Sequence, residues 1–284
     1  MRRQREGRTP PSWIVGLAPF SWDSPCCRYG DRVCSQLEGL QGTNSFHSSS
    51  THKVCLLKRA VCLKHVPFEG PGAFATALTE RGVSLERYLV PQDGLPKDAG
   101  DMLIVMGGPM SVNDPDPWIE EETSFIRSAL HAGTPVVGVC LGSQFMAKAL
   151  GATVRPGKAL EIGMTPVRLS AEAKHDPVFS TLPESFEVFE WHGEVFDLPK
   201  DCVPLAGSDI APLQAFRYAA RAYGLLFHLE VEENGIESLS RECTPDLTKA
   251  RLTAHHVKAA TLPHLPQLHQ IADRLIGHLL SPQR

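Results

Sequence analysis

The chain has 284 residues, enough for one or two domains, and its hydrophobic content of 42% is that of an ordinary globular protein. Its formal net charge of −4 gives no reason to expect nucleic acid or an anionic membrane as a partner, and no apolar run reaches the ~18 residues that a membrane helix needs. Its eight cysteines include no C-x-x-C pair, which favours a reducing compartment, and we expect a cytoplasmic protein.

Residues 1–53 differ from the rest of the chain. Four arginines lie among the first eight residues, and a Ser-rich tract ends the segment, without a helical or strand period between them. An Arg-rich, Ser-rich segment that is poor in acids fits a transit peptide, a flexible appendage, or upstream sequence included by a wrong start assignment. We expect a disordered, functionally silent extension at 1–53 and a folded domain at 54–284.

From about residue 59, short apolar runs alternate with amphipathic segments. The predicted strands of this half are 60–63, 83–90, 101–106 and 135–139, and the predicted helices are 72–81, 118–132 and 143–150. Strands that alternate with helices of about ten to fifteen residues predict an α/β fold with a mostly parallel, doubly wound sheet.

After residue 151 the pattern changes to short strands separated by Pro and Gly turns. We expect strands at 153–155, 165–169 and 186–189, forming a small antiparallel extension of the sheet, and a further strand pair at 213–218 and 222–227. The segment 232–260 is charged and weakly periodic, and 266–280 is predicted to be a terminal amphipathic helix.

Cys140 stands at the corner between a predicted strand and a predicted helix. Gly138 and Gly142 flank it in the pattern G-x-C-x-G, and small residues there allow the sharp turn of a nucleophile elbow. A helix N-terminus beside the sulfur favours thiolate, so we expect a lowered pKa for Cys140. The competing interpretation is a small buried hydrophobe, but glycine on both sides is not what packing alone would select.

A cysteine nucleophile needs a base and a group that orients the base. His228 follows an apolar run, and Glu230 lies two residues further on, so both share one face of an extended strand. Glu230 can then hold one ring nitrogen while the other faces the thiol. Alone, this pair is better explained as a solvated strand end; together with the elbow it predicts a catalytic triad.

Two other histidine-containing segments are weaker candidates. His192 is the alternative base, but Gly193 argues for a turn there, and we interpret His192 as a residue that lines the substrate site. His255 and His256 have no Cys or carboxylate at ligand spacing, so we expect solvated surface and no metal site.

Three motifs in this order resemble class I glutamine amidotransferase domains: Gly107–Pro109, Gly138–Gly142 and Phe227–Glu230. The segments 161–163, 191–199 and 214–217 resemble stand-alone members near the GMP-synthase-type amidotransferases, a branch that includes γ-glutamyl peptidases. The resemblance covers about residues 59–240.

The resemblance implies that Cys140 attacks the γ-carbonyl of glutamine or a related γ-glutamyl compound and forms a γ-glutamyl thioester. His228 would move the proton and Glu230 would orient His228. The N–H groups of Gly108 and Leu141 would stabilise the oxyanion.

The resemblance also implies a glutamyl pocket lined by Gly107, Gln144 and His192, and no cofactor. Two positions depart from the family pattern, because Leu229 replaces the usual proline and Leu226 replaces a glutamine common before the phenylalanine. Both lie beside the expected base, which leaves the substrate preference open.

Three functions are compatible with these residues. The chain could release ammonia for a separate synthase or ligase partner, act alone as a γ-glutamyl hydrolase or peptidase, or serve as a catalytically silent binding module. The intact triad weighs against the third.

If residues 1–53 are a flexible appendage, deleting them should leave the melting temperature and the activity unchanged within error, because they would bury little apolar area. Thermal unfolding and turnover of the truncated and full-length chains provide the check. A drop of several degrees would show that the extension packs on the domain.

Overall fold

The computed structural model describes residues 58–282; residues 1–57, which include the expected extension, and 283–284 lie outside the described part. The strands are β1 (Arg59–Lys64), β2 (Ser84–Leu89), β3 (Met102–Val105), β4 (Val136–Val139), β5 (Val154–Leu169), β6 (Ser185–Phe196), β7 (Cys202–Gly207), β8 (Ala215–Tyr218) and β9 (Ala222–Leu225). The α-helices are α1 (Gly72–Glu80), α2 (Val90–Asp93), α3 (Pro117–His131), α4 (Leu141–Ala149), α5 (Glu233–Glu242), α6 (Thr244–Ala250), α7 (Ala254–Thr261) and α8 (Leu265–Leu280). In the described part, the strands form one sheet in the order β2-β1-β3-β4-β9-β8-β7-β5-β6. No helix of residues 58–282 is long and apolar enough to span a membrane.

Five strands form the parallel half of the sheet, in the order β2, β1, β3, β4 and β9. Every residue of β3, β4 and β9 is buried, because helices cover both faces. Helices α1 and α8 pack on one face around Phe74 and Leu275, and α3 and α4 pack on the other around Ile126 and Phe145. Strands that are buried on both faces read as continuous apolar runs, which made them visible in the sequence. The predicted doubly wound α/β fold is confirmed.

The other four strands pair antiparallel and form the predicted extension. β5 is one strand of 16 residues where the sequence predicts two short ones, and β6 runs through Gly193, where the sequence predicts a turn. β7 has no counterpart among the predicted strands. β5 and β6 pair along their length with one irregularity between Pro156 and Glu161. Their cross-strand hydrogen bonds hold in the strands even those residues whose intrinsic strand propensity is low.

The charged segment 232–260 folds into the three helices α5, α6 and α7. Few apolar side chains are buried in each: Ile236 and Leu239 in α5, Leu247 in α6 and Val257 in α7. All four join the core formed with α1 and α8. With so few buried apolar residues, the sequence shows no clear helical period of hydrophobic positions. Tertiary packing rather than helix propensity stabilises these helices.

The carboxyl ends of β1, β3, β4 and β9 lie next to one another at a single edge of the sheet. The segments that follow these strands are therefore neighbours, although they are far apart in the chain. They are 65–71, 106–109, Cys140 and 226–230. In open α/β sheets, this edge is where ligands bind.

Gly142→Ala should destabilise the domain. A Cβ at this position would lie 2.0 Å from the Val105 carbonyl oxygen, so α4 would have to move away from β3. Overpacking of this kind costs about 1–3 kcal/mol, and each kcal/mol lowers the melting temperature by roughly 2–4 °C in a domain of this size.

Gly277→Ala is the matched control. Gly277 lies within α8, and the nearest atom to an added Cβ is the flexible Arg81 Nη2 at 3.3 Å. Since alanine favours a helix over glycine by up to about 1 kcal/mol, the melting temperature should hold or rise. Equal melting of the Gly142→Ala variant and the wild type would contradict the steric argument.

Candidate active site

Cys140 occupies the turn between β4 and α4 with φ of 50° and ψ of −110°, a conformation that residues other than glycine rarely adopt. Its N–H donates to the Leu225 carbonyl at 2.8 Å, and its carbonyl accepts from the Ser143 N–H at 3.0 Å and hydroxyl at 2.6 Å. The thiol is almost buried and donates to the Trp191 carbonyl at 3.6 Å. Backbone strain that is held by such bonds is common at functional sites.

Gly138 and Gly142 mark where β4, α4 and β3 come too close together for a side chain. A Cβ on Gly138 would lie 2.6 Å from the Gly142 carbonyl oxygen, and a Cβ on Gly142 would lie 2.0 Å from the Val105 carbonyl oxygen. Packing of α4 on the sheet therefore does select both glycines, contrary to the expectation from the sequence. That packing also fixes where Cys140 stands.

His228 and Glu230 lie beyond the end of β9, not within a strand, and the His228 N–H donates to the Phe189 carbonyl of β6 at 2.8 Å. The Nδ1 nitrogen of His228 lies 2.7 Å from Glu230 Oε1, and both side chains are buried. This pairing leaves Nε2 buried and without a hydrogen-bond partner among the described residues, and Cys140 lies close enough to change the pKa of the ring. The structure thus brings together the three side chains that the sequence predicts as a triad.

The His228 ring and the Cys140 thiol each change the pKa of the other. Burial lowers the pKa of His228, but the Glu230 carboxylate and the hydrogen bond with Cys140 outweigh it, so the pKa lies well above its ordinary value. Burial raises the pKa of the Cys140 thiol, and the opposing effects of His228 and the Leu141 N–H are smaller. The expected fall in the pKa of Cys140 is therefore wrong, because loss of water outweighs the field of the helix N-terminus.

Gly107 and Gly108 follow β3 and lie against the elbow. A Cβ on Gly107 would lie 3.5 Å from the Cys140 Cβ, and a Cβ on Gly108 would lie 3.0 Å from Leu141 Cδ2. The Gly107 carbonyl accepts a hydrogen bond from His65 Nδ1 at 2.9 Å, and the Leu141 N–H interacts with the Cys140 sulfur. The two expected oxyanion donors, Gly108 and Leu141, are thus neighbours beside the cysteine.

Gln144 and His192 are both enclosed by protein. Gln144 is 3% exposed in the first turn of α4, where its N–H donates to the Cys140 carbonyl at 3.2 Å. His192 is 4% exposed, and its Nε2 lies 3.1 Å from Glu190 Oε2 and 3.4 Å from Glu161 Oε2. Their assignment to the glutamyl pocket stays a prediction, since the contacts of His192 are with carboxylates.

A cavity of about 300 Å³ lies beside His228 and Glu230, between the loop after β1 and the start of α5. Glu69 lines this cavity and is only 9% exposed. Burial raises the pKa of its carboxyl group, although the nearby His228 acts in the opposite direction. Within residues 58–282, no group of three or more His, Cys, Asp or Glu side chains could hold a metal ion.

Sequence reasoning missed three buried residues at this edge, namely Glu69, His65 and Glu122. His65 and Glu69 belong to the loop that follows the first predicted strand, so the rule that strand ends converge could have identified them. Glu122 lies inside α3 and resembles an ordinary acidic residue in the first turns of a helix, so no local signal distinguishes it.

A family model described as glutamine amidotransferase class-I matches residues 73–239. The glutamine amidotransferase-like protein YfeJ of Salmonella typhimurium is 31% identical over 195 residues, which cover 66% of this chain and 82% of that protein. One of the subunits of the glutamine-hydrolysing GMP synthase of Methanocaldococcus jannaschii is 35% identical over 131 residues, covering 45% of this chain and 68% of that protein. The GMP synthase of Thermomicrobium roseum is 38% identical over 142 residues, covering 48% of this chain but only 24% of that enzyme.

Solved structures show the same similarity. A glutamine amidotransferase from Thermotoga maritima superposes with a TM-score of 0.73 at 27% identity, covering 79% of this chain and 99% of that one. A glutamine amidotransferase from Methylobacillus flagellatus gives a TM-score of 0.71 at 26% identity, covering 78% and 94%.

The pH dependence of Cys140 alkylation by iodoacetamide should follow from the raised pKa of the thiol. Since thiolate is the reactive form, the rate should rise with pH and reach its inflection above about 8.5, the ordinary thiol value. His228→Ala removes an influence that lowers this pKa, so the inflection should move further upward. An inflection near neutral pH or below in the wild type would contradict the burial argument.

The same experiment has an internal control in Cys62, Cys202 and Cys243. Burial raises the pKa of each of these thiols to about 12, and their reactivity should therefore remain lower. Peptide mapping after labelling with a glutamine-analogue electrophile should find Cys140 modified ahead of these three. Preferential labelling of Cys202 or Cys243 would reject Cys140 as the nucleophile.

Proposed function

Since this chain belongs to the glutamine amidotransferase class-I family, we propose that it hydrolyses a γ-glutamyl amide through a γ-glutamyl thioester on Cys140. The observation that carries the proposal is a buried His228, whose Nδ1 lies 2.7 Å from Glu230 Oε1 and whose ring is close enough to Cys140 to act on the pKa of its thiol. A nucleophile, a base and a group that orients the base are the parts that acyl transfer by a cysteine requires.

In the first step, His228 Nε2 accepts the thiol proton while the sulfur attacks the γ-carbonyl carbon. The carbonyl π electrons move to the oxygen, where the N–H groups of Gly108 and Leu141 stabilise the negative charge. For this step Nε2 must be unprotonated, or His228 must already be an imidazolium paired with thiolate. The raised pKa of His228 stabilises the imidazolium that holds the proton.

Collapse of the tetrahedral species breaks the bond between carbon and nitrogen, and the departing amine takes the proton from His228 Nε2. Water then attacks the thioester and gives a proton to the same nitrogen, which returns it to the sulfur as the γ-carboxylate product leaves. Throughout the cycle, Glu230 holds Nδ1 and stabilises the imidazolium form of His228.

The size of the leaving amine distinguishes two roles within this activity. The amine departs on the His228 side, where a cavity of about 300 Å³ is lined by His228 and Glu230. A self-sufficient γ-glutamyl hydrolase or peptidase would release an amine larger than ammonia into this space. The similarity to a GMP synthase subunit supports the alternative, in which ammonia passes to a separate synthase or ligase.

A reducing compartment such as the cytoplasm suits this chemistry. Cys62, Cys140, Cys202 and Cys243 are all free thiols in the described part of the chain. A cysteine nucleophile must remain reduced to act.

Four substitutions should separate the proposed roles. Cys140→Ser and His228→Ala should abolish measurable turnover, because the nucleophile or the base is lost. Glu230→Gln should reduce turnover by roughly two orders of magnitude or more, since the base remains but loses its orientation. His192→Ala should mainly alter substrate affinity, and Cys202→Ser is the matched control that should behave as wild type.

The measurement is release of amine from a panel that runs from glutamine to γ-glutamyl amides of larger amines, with mass spectrometry of the thioester. Faster turnover of larger amides than of glutamine would support a self-sufficient hydrolase or peptidase. If His192→Ala abolished turnover while His228→Ala remained active, the triad would be misassigned. A preference for glutamine would favour ammonia transfer to a partner.

A further inference from the structure

We propose that His65 and Glu122 are positioning residues that orient the peptide bond between Gly107 and Gly108, so that the Gly108 N–H faces the reacting carbonyl oxygen. The inference rests on the proposed function, because it concerns the oxyanion formed on Cys140. It assigns a role to a buried pair that takes no direct part in proton transfer.

The contacts of His65 use both nitrogens of its ring. Nδ1 donates to the Gly107 carbonyl oxygen at 2.9 Å, and Nε2 lies 3.0 Å from Glu122 Oε1. Both side chains are completely buried. Because a carbonyl oxygen can only accept, Nδ1 must carry a hydrogen, and a carboxylate at Nε2 favours a hydrogen there as well.

The carbonyl of Gly107 and the N–H of Gly108 belong to one peptide group. In a planar trans peptide these two bonds point in opposite directions. A hydrogen bond that draws the Gly107 oxygen toward His65 therefore turns the Gly108 N–H away from His65. Rotation of the peptide by half a turn would break the bond with His65 and withdraw the N–H from the site.

The ring of His65 is itself held firmly. It stacks on Trp118 with a centroid distance of 5.8 Å and on Phe145 with a centroid distance of 5.4 Å. Burial lowers the pKa of His65, but the Glu122 charge and hydrogen bond outweigh this effect, so the pKa lies above its ordinary value and the doubly protonated ring is favoured. Phe145 belongs to α4, the helix that also carries Leu141. Through its contact with His65, α4 therefore fixes the position of Gly108 as well as that of Leu141, and these are the two expected oxyanion donors.

Two substitutions of the same residue separate positioning from stability. His65→Asn retains an amide donor near the Nδ1 position and loses the contact with Glu122. His65→Gln reaches Glu122 and loses the donor to Gly107. A merely structural role would treat the two variants alike, since each retains one buried hydrogen bond.

We expect His65→Asn to keep kcat within about tenfold of wild type and His65→Gln to lose about 10²-fold, the scale of one missing oxyanion donor. KM should change by less than about threefold in both variants, because the interaction strengthens only in the transition state. Affinity for the aldehyde analogue of the γ-glutamyl group, which forms a tetrahedral adduct on Cys140, should fall in parallel with kcat. Alkylation by iodoacetamide should be unchanged, since that displacement creates no oxyanion.

Arg217→Met is the control for a general loss of stability. It breaks another pair with a buried partner, in which Arg217 Nε lies 2.8 Å from Asp176 Oδ2, and it should lower the melting temperature without changing kcat. Equal losses of kcat in His65→Asn and His65→Gln, or a parallel loss of alkylation, would overturn the positioning role.

Should neither His65 variant fold, Glu122→Gln and Glu122→Leu decide the question, because Gln can still pair with Nε2 and hold the ring, whereas Leu cannot. Glu122→Gln should hold kcat within about tenfold of wild type and Glu122→Leu should lose about 10²-fold, with alkylation unchanged in both; equal kcat in the two variants would overturn the inference. Absence of turnover and of aldehyde binding in the wild type would instead count against the proposed function.

Discussion

The close approach of α4 to β3 and β4 is the constraint on which the site depends. No side chain fits at Gly138 or Gly142, so the helix begins almost in contact with the sheet, and Cys140 must take a positive φ to make the turn. The strained backbone is held by neighbouring hydrogen bonds rather than by the cysteine side chain. The sulfur is thereby left for chemistry, with the first N–H of the helix beside it.

Burial has opposite consequences for the fold and for the chemistry. It excludes water from the elbow, which strengthens the interaction between His228 and Glu230, but it also disfavours the thiolate of Cys140. In the proposed reaction, Glu230 offsets this cost by stabilising the imidazolium that forms when His228 holds the thiol proton. Because its pKa is raised, the Cys140 thiol is less reactive until that proton is removed.

The parallel half of the fold was visible in the sequence because buried strands and amphipathic helices have strong periodic patterns. The antiparallel half was harder to predict. Gly193 is part of β6 because β6 pairs with β5, and that pairing involves residues that are distant in the sequence. Helices α5 to α7 were not predicted either, because each buries few apolar side chains and so has no clear helical period of hydrophobic positions. For the site, motif spacing predicted that Cys140, His228 and Glu230 would meet. It could not predict the pKa of Cys140, because the degree of burial is a property of the whole fold.

Three histidines at this end of the sheet pair with glutamates, and their geometry separates their possible roles. Burial of a carboxylate is costly unless it is paired, so each pairing is explained by stability alone. His65 uses its second nitrogen on the Gly107 carbonyl, and the Nε2 of His192 lies near two carboxylates at once. Only in His228 does pairing with the acid leave a nitrogen that interacts with Cys140. In the proposed roles, the surroundings of the second nitrogen separate His65, which positions a peptide, from His228, which moves a proton.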